Sequence, residues 1–113
     1  MEQRLPAHLE VSGLVRAAQA AGDFAMILNK GERDAGTILV VVMENQGLGV
    51  LYERMPQRDG TRKWTETKAQ VSDNKSDFDD YLDRRSRQDP DLWIVELTVA
   101  DRERFIRDIL SNA

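Results

Sequence analysis

Two glutamates are the side chains of this sequence best suited to do chemistry. Glu53 and Glu96 each interrupt a strand-like run of largely apolar residues, at 48–55 and at 92–99. A buried carboxylate must be ion-paired, hydrogen-bonded or protonated, because burying it alone is costly. Together the two acids can perform acid–base or metal-assisted hydrolysis. The favoured alternative is structural: two buried salt bridges that fix the strand register, or simple exposure at a sheet edge, since ion-pair networks often imitate functional sites.

Arginines are the natural partners of these acids. Arg54 follows Glu53 directly, but neighbouring side chains of a strand point to opposite faces, so Arg54 is excluded as its partner. Arg4, Arg16 and Arg85 are the candidates for an ion pair.

The charge run between residues 76 and 91 holds the second candidate site. Arg84, Arg85 and Arg87 fall within about one helical turn, where they can bind a phosphate or carboxylate ligand. Helix stability explains the same residues, because acids precede and arginines follow within the predicted helix, as the helix dipole favours. This structural interpretation is the preferred one.

Aromatic side chains near arginines are the third candidate. Trp64, Trp93 and Tyr52 can converge across the sheet, and aromatic rings near arginines can stack on flat ligands or line a pocket. Packing in the core or in an interface is the favoured alternative.

Several site classes are excluded or disfavoured by composition. The chain has no cysteine and only one histidine, His8, so thiolate chemistry and a histidine-based metal site are absent. We expect no metal site and no cofactor. Enzyme activity stays open, and a non-catalytic role is favoured.

The net charge of -4 and the pI of about 5.0 argue against nucleic acid and anionic membranes as partners. A small anionic ligand stays possible through local basic residues. No run of residues is apolar and long enough to cross a membrane, and the N-terminus has no signal-peptide pattern. A cytoplasmic location is therefore expected.

Hydrophobic periodicity predicts an α+β fold with a mostly antiparallel sheet of about five strands. The order is helix, four-strand meander, helix, strand, helix, with the helices covering one face in a single domain over 1–113. The predicted helices span 5–22, 76–88 and the residues after Asp101, and the predicted strands span 24–29, 37–43, 48–55, 61–69 and 92–99.

The strand at 61–69 has the composition of a sheet edge. It combines threonines and lysines with one large apolar residue, Trp64, and lysines are a common protection of edge strands. We expect a protein partner, or self-association, through this edge strand.

Several motifs resemble those of a family of small proteobacterial proteins of unknown function. They include Tyr-Glu-Arg-x-Pro-Gln at 52–57 and Asp-Pro-Asp-Leu-Trp at 89–93, together with Arg-Leu-Pro at 4–6 and Asp-Ala-Gly at 34–36. The resemblance covers nearly the whole chain and implies a stand-alone, single-domain, cytoplasmic protein. It implies no catalytic residue.

Two functions follow as hypotheses. The first is a small soluble bacterial binding or protein-interaction module without catalytic activity, with a homodimer as one form. The alternative is a small enzyme or anion-binding protein that acts on a phosphorylated or carboxylate ligand. Its ligand-binding residues would be Glu53, Glu96, Arg54, Arg84, Arg85, Arg87, Trp64 and Trp93.

Overall fold

The computed structural model describes residues 5–44, 47–71 and 75–110. All predicted elements form, with small shifts at their ends. Within these ranges no helix has the length and apolar character that crossing a membrane requires. The elements are α1 (Ala7–Ala20), β1 (Phe24–Asn29), β2 (Ile38–Glu44), β3 (Val50–Pro56), β4 (Arg62–Ala69), α2 (Lys75–Gln88), β5 (Trp93–Val99) and α3 (Arg102–Phe105), which a π-helical turn continues over Ile106–Leu110.

The five strands form one sheet in the order β1-β5-β2-β3-β4. β2 and β5 run parallel, and every other neighbouring pair is antiparallel. The α+β class and the mostly antiparallel sheet are thereby confirmed. The four-strand meander is wrong, because β5 lies between β1 and β2, and only β2, β3 and β4 form a meander.

The position of β5 follows from its apolar composition. β2 and β5 each have five buried residues out of seven, more than any other strand, and a strand that is apolar on both faces belongs in the centre of a covered sheet. The crossover through α2 brings the chain back from the β4 edge to the other side of β2, which gives the parallel β2–β5 pair.

The helices cover both faces of the sheet, not one face as predicted. The larger core lies between the sheet and the helices α1 and α3, and includes Val11 and Leu14 of α1 and Phe105 of α3. The smaller core lies under α2, which contributes Phe78 and Leu82. Side chains of the central strands alternate between the two cores, so both faces of β2 are buried.

Candidate functional site

Glu53 lies on the face of β3 that α2 covers, and an arginine of α2 holds it. Arg85 Nη2 donates to Glu53 Oε1 at 2.8 Å, and Arg85 Nη1 donates to Oε2 at 3.2 Å. The Thr67 hydroxyl of β4 donates to the same Oε2 at 2.5 Å. Arg85 Nη1 also donates to the Tyr81 hydroxyl at 3.0 Å. The carboxylate is therefore fully engaged by groups of the protein.

These contacts favour the charged form of both partners. The hydrogen bond from Arg85 is the main cause that lowers the pKa of Glu53, and it outweighs the opposing effect of burial. The same hydrogen bond raises the pKa of Arg85. Of the three candidate partners, the structure selects Arg85. Arg16 belongs to α1, which covers the opposite face, and Arg4 lies outside the described residues.

Removing the charge of Glu53 should destabilise the fold in a pH-dependent manner. The pKa of Glu53 is lower in the folded state, so the ion pair stabilises the fold above about pH 4.3, the ordinary glutamate value. That stability is lost as the pH falls through the folded pKa. We expect Glu53→Gln to lower the free energy of unfolding by about 1–3 kcal/mol at pH 7. The difference from the wild type should approach zero in strong acid, as measured by urea unfolding at several pH values.

A matched control is an exposed ion pair on the same helix. Arg87 Nη2 lies 3.4 Å from Asp83 Oδ2, and both side chains are mostly exposed. Asp83→Asn should change the stability by less than about 0.5 kcal/mol. An effect of Glu53→Gln that is equally large at pH 7 and in strong acid would contradict the assigned role of the charge.

Glu96 does not meet Glu53. Glu96 of β5 lies beside Val41 of the neighbouring strand β2. Glu53 belongs to β3, two strands away from β5, and the β2–β3 register places it opposite Leu39. The strand spacing and rise place the two Cα atoms about 12 Å apart on one face of the sheet. A two-carboxylate site therefore does not form between them.

Of the three arginines of α2, Arg84 and Arg87 border one depression, whereas Arg85 forms the ion pair with Glu53. The Tyr81 ring lies near Lys68 Nζ, at 4.6 Å from the ring centroid, and near Arg84 Cζ, at 5.9 Å. A shallow depression beside this ring has mixed charges, and Arg85 is engaged by Glu53 instead. The depression is lined by Lys68, Asp77, Asp80, Tyr81, Arg84 and Arg87. Its two aspartates offset most of the positive charge that an anionic ligand needs.

Arg54 and Trp64 meet on the opposite face, under α1. The guanidinium of Arg54 lies 4.7 Å from the Trp64 ring centroid and forms an ion pair with Glu10 of α1. The pair ties β3 and β4 to the helix. Trp64 Nε1 is buried and has no hydrogen-bond partner among the described residues.

Trp93 belongs to a tight junction and not to an open pocket. It is buried, and its Nε1 donates to the Glu32 carbonyl at 2.7 Å. The Asp91 N–H donates to Asp89 Oδ1 at 3.1 Å, which closes the turn at Pro90. The Glu32 N–H donates in turn to the Asp91 carbonyl at 2.9 Å. The Asp-Pro-Asp-Leu-Trp motif thus has a structural role in joining the 31–36 loop to β5.

The free edge of β1 is the surface that the sequence analysis missed. Its large side chains are exposed: Phe24 by 77%, Met26 by 60%, Ile27 by 47% and Leu28 by 42%. Leu28 is the extra residue of a bulge against β5. The six residues of β1 carry no charge, and this lack of edge protection was the available signal.

The described ranges contain no group of three or more histidines, aspartates and glutamates that could hold a metal ion. Among the candidates, Glu53 and Arg85 form an ion pair, Arg54 and Trp64 form a cation–aromatic pair, and Trp93 belongs to a structural junction. The remaining candidates are Glu96, which lies apart from Glu53, and Arg84 and Arg87, which border the depression.

Comparison with known proteins gives a family and a fold. Residues 5–107 match the sequence model of a family described as "Protein of unknown function (DUF1491)". A crystal structure of a DUF1491 family protein from Caulobacter crescentus CB15 is 34% identical, with a TM-score of 0.76 over 87% of this chain and 91% of that chain. An NMR structure of a DUF1491 family protein from the same organism is 32% identical, with a TM-score of 0.71 over 85% and 86%.

A solution structure of a protein from A. tumefaciens is also similar. It is 32% identical, with a TM-score of 0.70 over 88% of this chain and 89% of that chain. No curated protein matches the chain.

Proposed function

The chain belongs to the DUF1491 family, whose function is unknown, and from this premise we propose that it is a non-catalytic interaction module that binds an extended protein strand along β1. The observation that carries the proposal is the uncharged apolar edge at Phe24–Asn29. An edge strand offers unpaired N–H and C=O groups to an added strand, and its side chains decide which sequence fits.

The two edges of the sheet differ in the way that this proposal requires. β4 is also an edge, as expected, but it carries Arg62, Lys63 and Lys68. Positive side chains on an edge oppose pairing with another chain, whereas β1 has no such protection. Its exposed side chains leave on the order of 400 Å² of apolar surface, in the range of patches that are often functional. The partner we propose is accordingly an extended, uncharged and apolar strand.

The alternative of a small enzyme or anion-binding protein has weaker support. Glu53 is occupied by Arg85, and Glu96 lies two strands away from it. Arg84 and Arg87 border a depression that also contains two aspartates. Within the described ranges, the acid best suited to catalysis is therefore already ion-paired, and the two aspartates of the depression weaken its attraction for a phosphorylated or carboxylate ligand.

A titration with a strand-forming peptide tests the proposal. The probe is a labelled peptide of alternating valine and threonine with lysines at both ends, and amide NMR shifts report where it binds. We expect the shifts to concentrate at Phe24–Leu28, because the added strand pairs with that edge. Met26→Lys should weaken binding at least about tenfold, since a charge there must be dehydrated.

The matched control places the same charge on the other edge. Ala69 is exposed on β4, and Ala69→Lys should leave peptide binding unchanged. Shifts along β4 in place of β1, or equal effects of the two lysines, would count against the β1 edge.

A further inference from the structure

We propose that the strand bound along β1 is β1 of a second copy of this chain, paired antiparallel about a two-fold axis at Met26. The inference rests on the proposed function and names its partner. It makes the two sheets into one sheet that continues across the interface.

Symmetry restricts how two copies of β1 can pair. A two-fold axis that joins two identical edges as antiparallel neighbours is perpendicular to the sheet, so a residue and its partner lie on the same face. Side chains of a strand alternate between faces, and the axis must therefore pass through a residue that pairs with itself. Ala25, Met26 and Ile27 are the central choices.

The sequence around β1 favours Met26 among these choices. With the axis there, Ala25 lies opposite Ile27 of the second copy, and Phe24 lies against the bulged Leu28. An axis at Ile27 would place Phe24 opposite Lys30, and an axis at Ala25 would place Asp23 opposite Ile27. Only the axis at Met26 pairs apolar residues with apolar residues throughout 24–28.

The exposed area is suited to a reversible dimer. Phe24 is the most exposed of the large apolar side chains in the described residues, and the paired arrangement covers it with Leu28. The four large side chains expose on the order of 800 Å² in the two copies together, and strand pairing covers the part of this area that faces the second copy, as in a small, reversible interface.

Charge supplies a second argument for this partner. β1 brings no charged side chain to the interface, so two copies meet there without local repulsion. The net charge of -4 on each copy opposes association at long range. Salt screens that repulsion, and the dimer is expected to tighten as the ionic strength rises.

Sedimentation equilibrium over a range of protein concentrations tests the association. We expect a concentration-dependent dimer for the wild type and for Ala69→Lys. Met26→Lys places two like charges directly opposite each other, and it should raise the dissociation constant by about 100-fold. Circular dichroism of each variant checks that the fold is retained, as expected for exposed positions.

Single cysteines test the register, because the natural chain has none. Directly opposed residues of antiparallel strands have Cα atoms about 4.5–5.5 Å apart, within reach of a disulfide. Met26→Cys should therefore cross-link to its own copy under mild oxidation. Phe24→Cys and Leu28→Cys should cross-link when the two proteins are mixed, and Ala69→Cys on β4 should not cross-link.

The outcomes separate this inference from the proposed function. A wild type that stays monomeric at all concentrations, with the peptide still bound along β1, overturns the dimer and leaves the interaction module standing. Absence of both dimer and peptide binding overturns both. Cross-linking of Ile27→Cys or Ala69→Cys, without Met26→Cys, overturns the proposed pairing.

Discussion

Replacing Gly36 with alanine is expected to remove a large part of the stability of this protein. A Cβ atom at this position would overlap the carbonyl oxygen of Asp91 and would lie 2.9 Å from both the Glu32 carbonyl oxygen and Trp93 Cδ1. Two of these neighbours are main-chain atoms and the third belongs to a buried ring, so none can move freely. Overpacking of this kind costs about 1–3 kcal/mol or more, and we expect a loss of about 3 kcal/mol.

The same substitution elsewhere in the chain provides the control. Gly13 lies inside α1, and a Cβ atom there would meet nothing within 4 Å. Gly13→Ala should stabilise the helix by about 0.5–1 kcal/mol, because alanine loses less conformational entropy on folding. Urea unfolding followed by circular dichroism measures both variants. A urea midpoint that rises for Gly36→Ala as it does for Gly13→Ala would show that the junction at Gly36 is looser than described.

Truncating Trp93 should have an effect of similar or greater size. Trp93 is 3% exposed and is part of the larger core, so Trp93→Ala leaves a cavity where the 31–36 loop meets β5. Removal of a buried tryptophan side chain typically costs about 3–5 kcal/mol. Thermal and urea unfolding should both register the loss, and a change below about 1 kcal/mol would contradict the buried position of the ring.

Phenylalanine substitutions separate the indole hydrogen bond from the packing of the ring. Trp93→Phe should cost about 1 kcal/mol or more, because the Glu32 carbonyl loses its donor. Trp64→Phe should cost much less, since Trp64 Nε1 is buried and has no hydrogen-bond partner within the described ranges. A larger loss of stability for Trp64→Phe than for Trp93→Phe would contradict the hydrogen bonding described for the two indole groups.

The sequence was sufficient to predict the elements of this fold and its edge strand β4. Helix and strand periodicities are local, and the Asp59–Gly60 turn between β3 and β4 forms with Gly60 at a φ of 87°. The sheet order was less accessible. It depends on which strands pair across long stretches of chain, and the apolar composition of β5 indicates a central place in the sheet without identifying its neighbours.

The candidate site was predictable to a smaller extent. The need of Glu53 for a partner was visible from its apolar surroundings, and Arg85 was one of the three arginines considered. The separation of Glu96 from Glu53 was not visible, because it follows from strand register. The exposed edge of β1 was missed, although the uncharged, apolar composition of Phe24–Asn29 was an available signal.

The place of β5 in the sheet also constrains the order in which the protein can fold. Within the part of the chain that the structure describes, β1 pairs with β5 and not with β2, as in the pairing of Phe24 with Thr98. During synthesis, β1 therefore cannot pair with its neighbouring strand until residues 93–99 have been synthesised. Pairing over such a long separation is slow, and an unpaired apolar strand is prone to aggregation. A nascent chain that stalls before Trp93 thus exposes its most apolar strands.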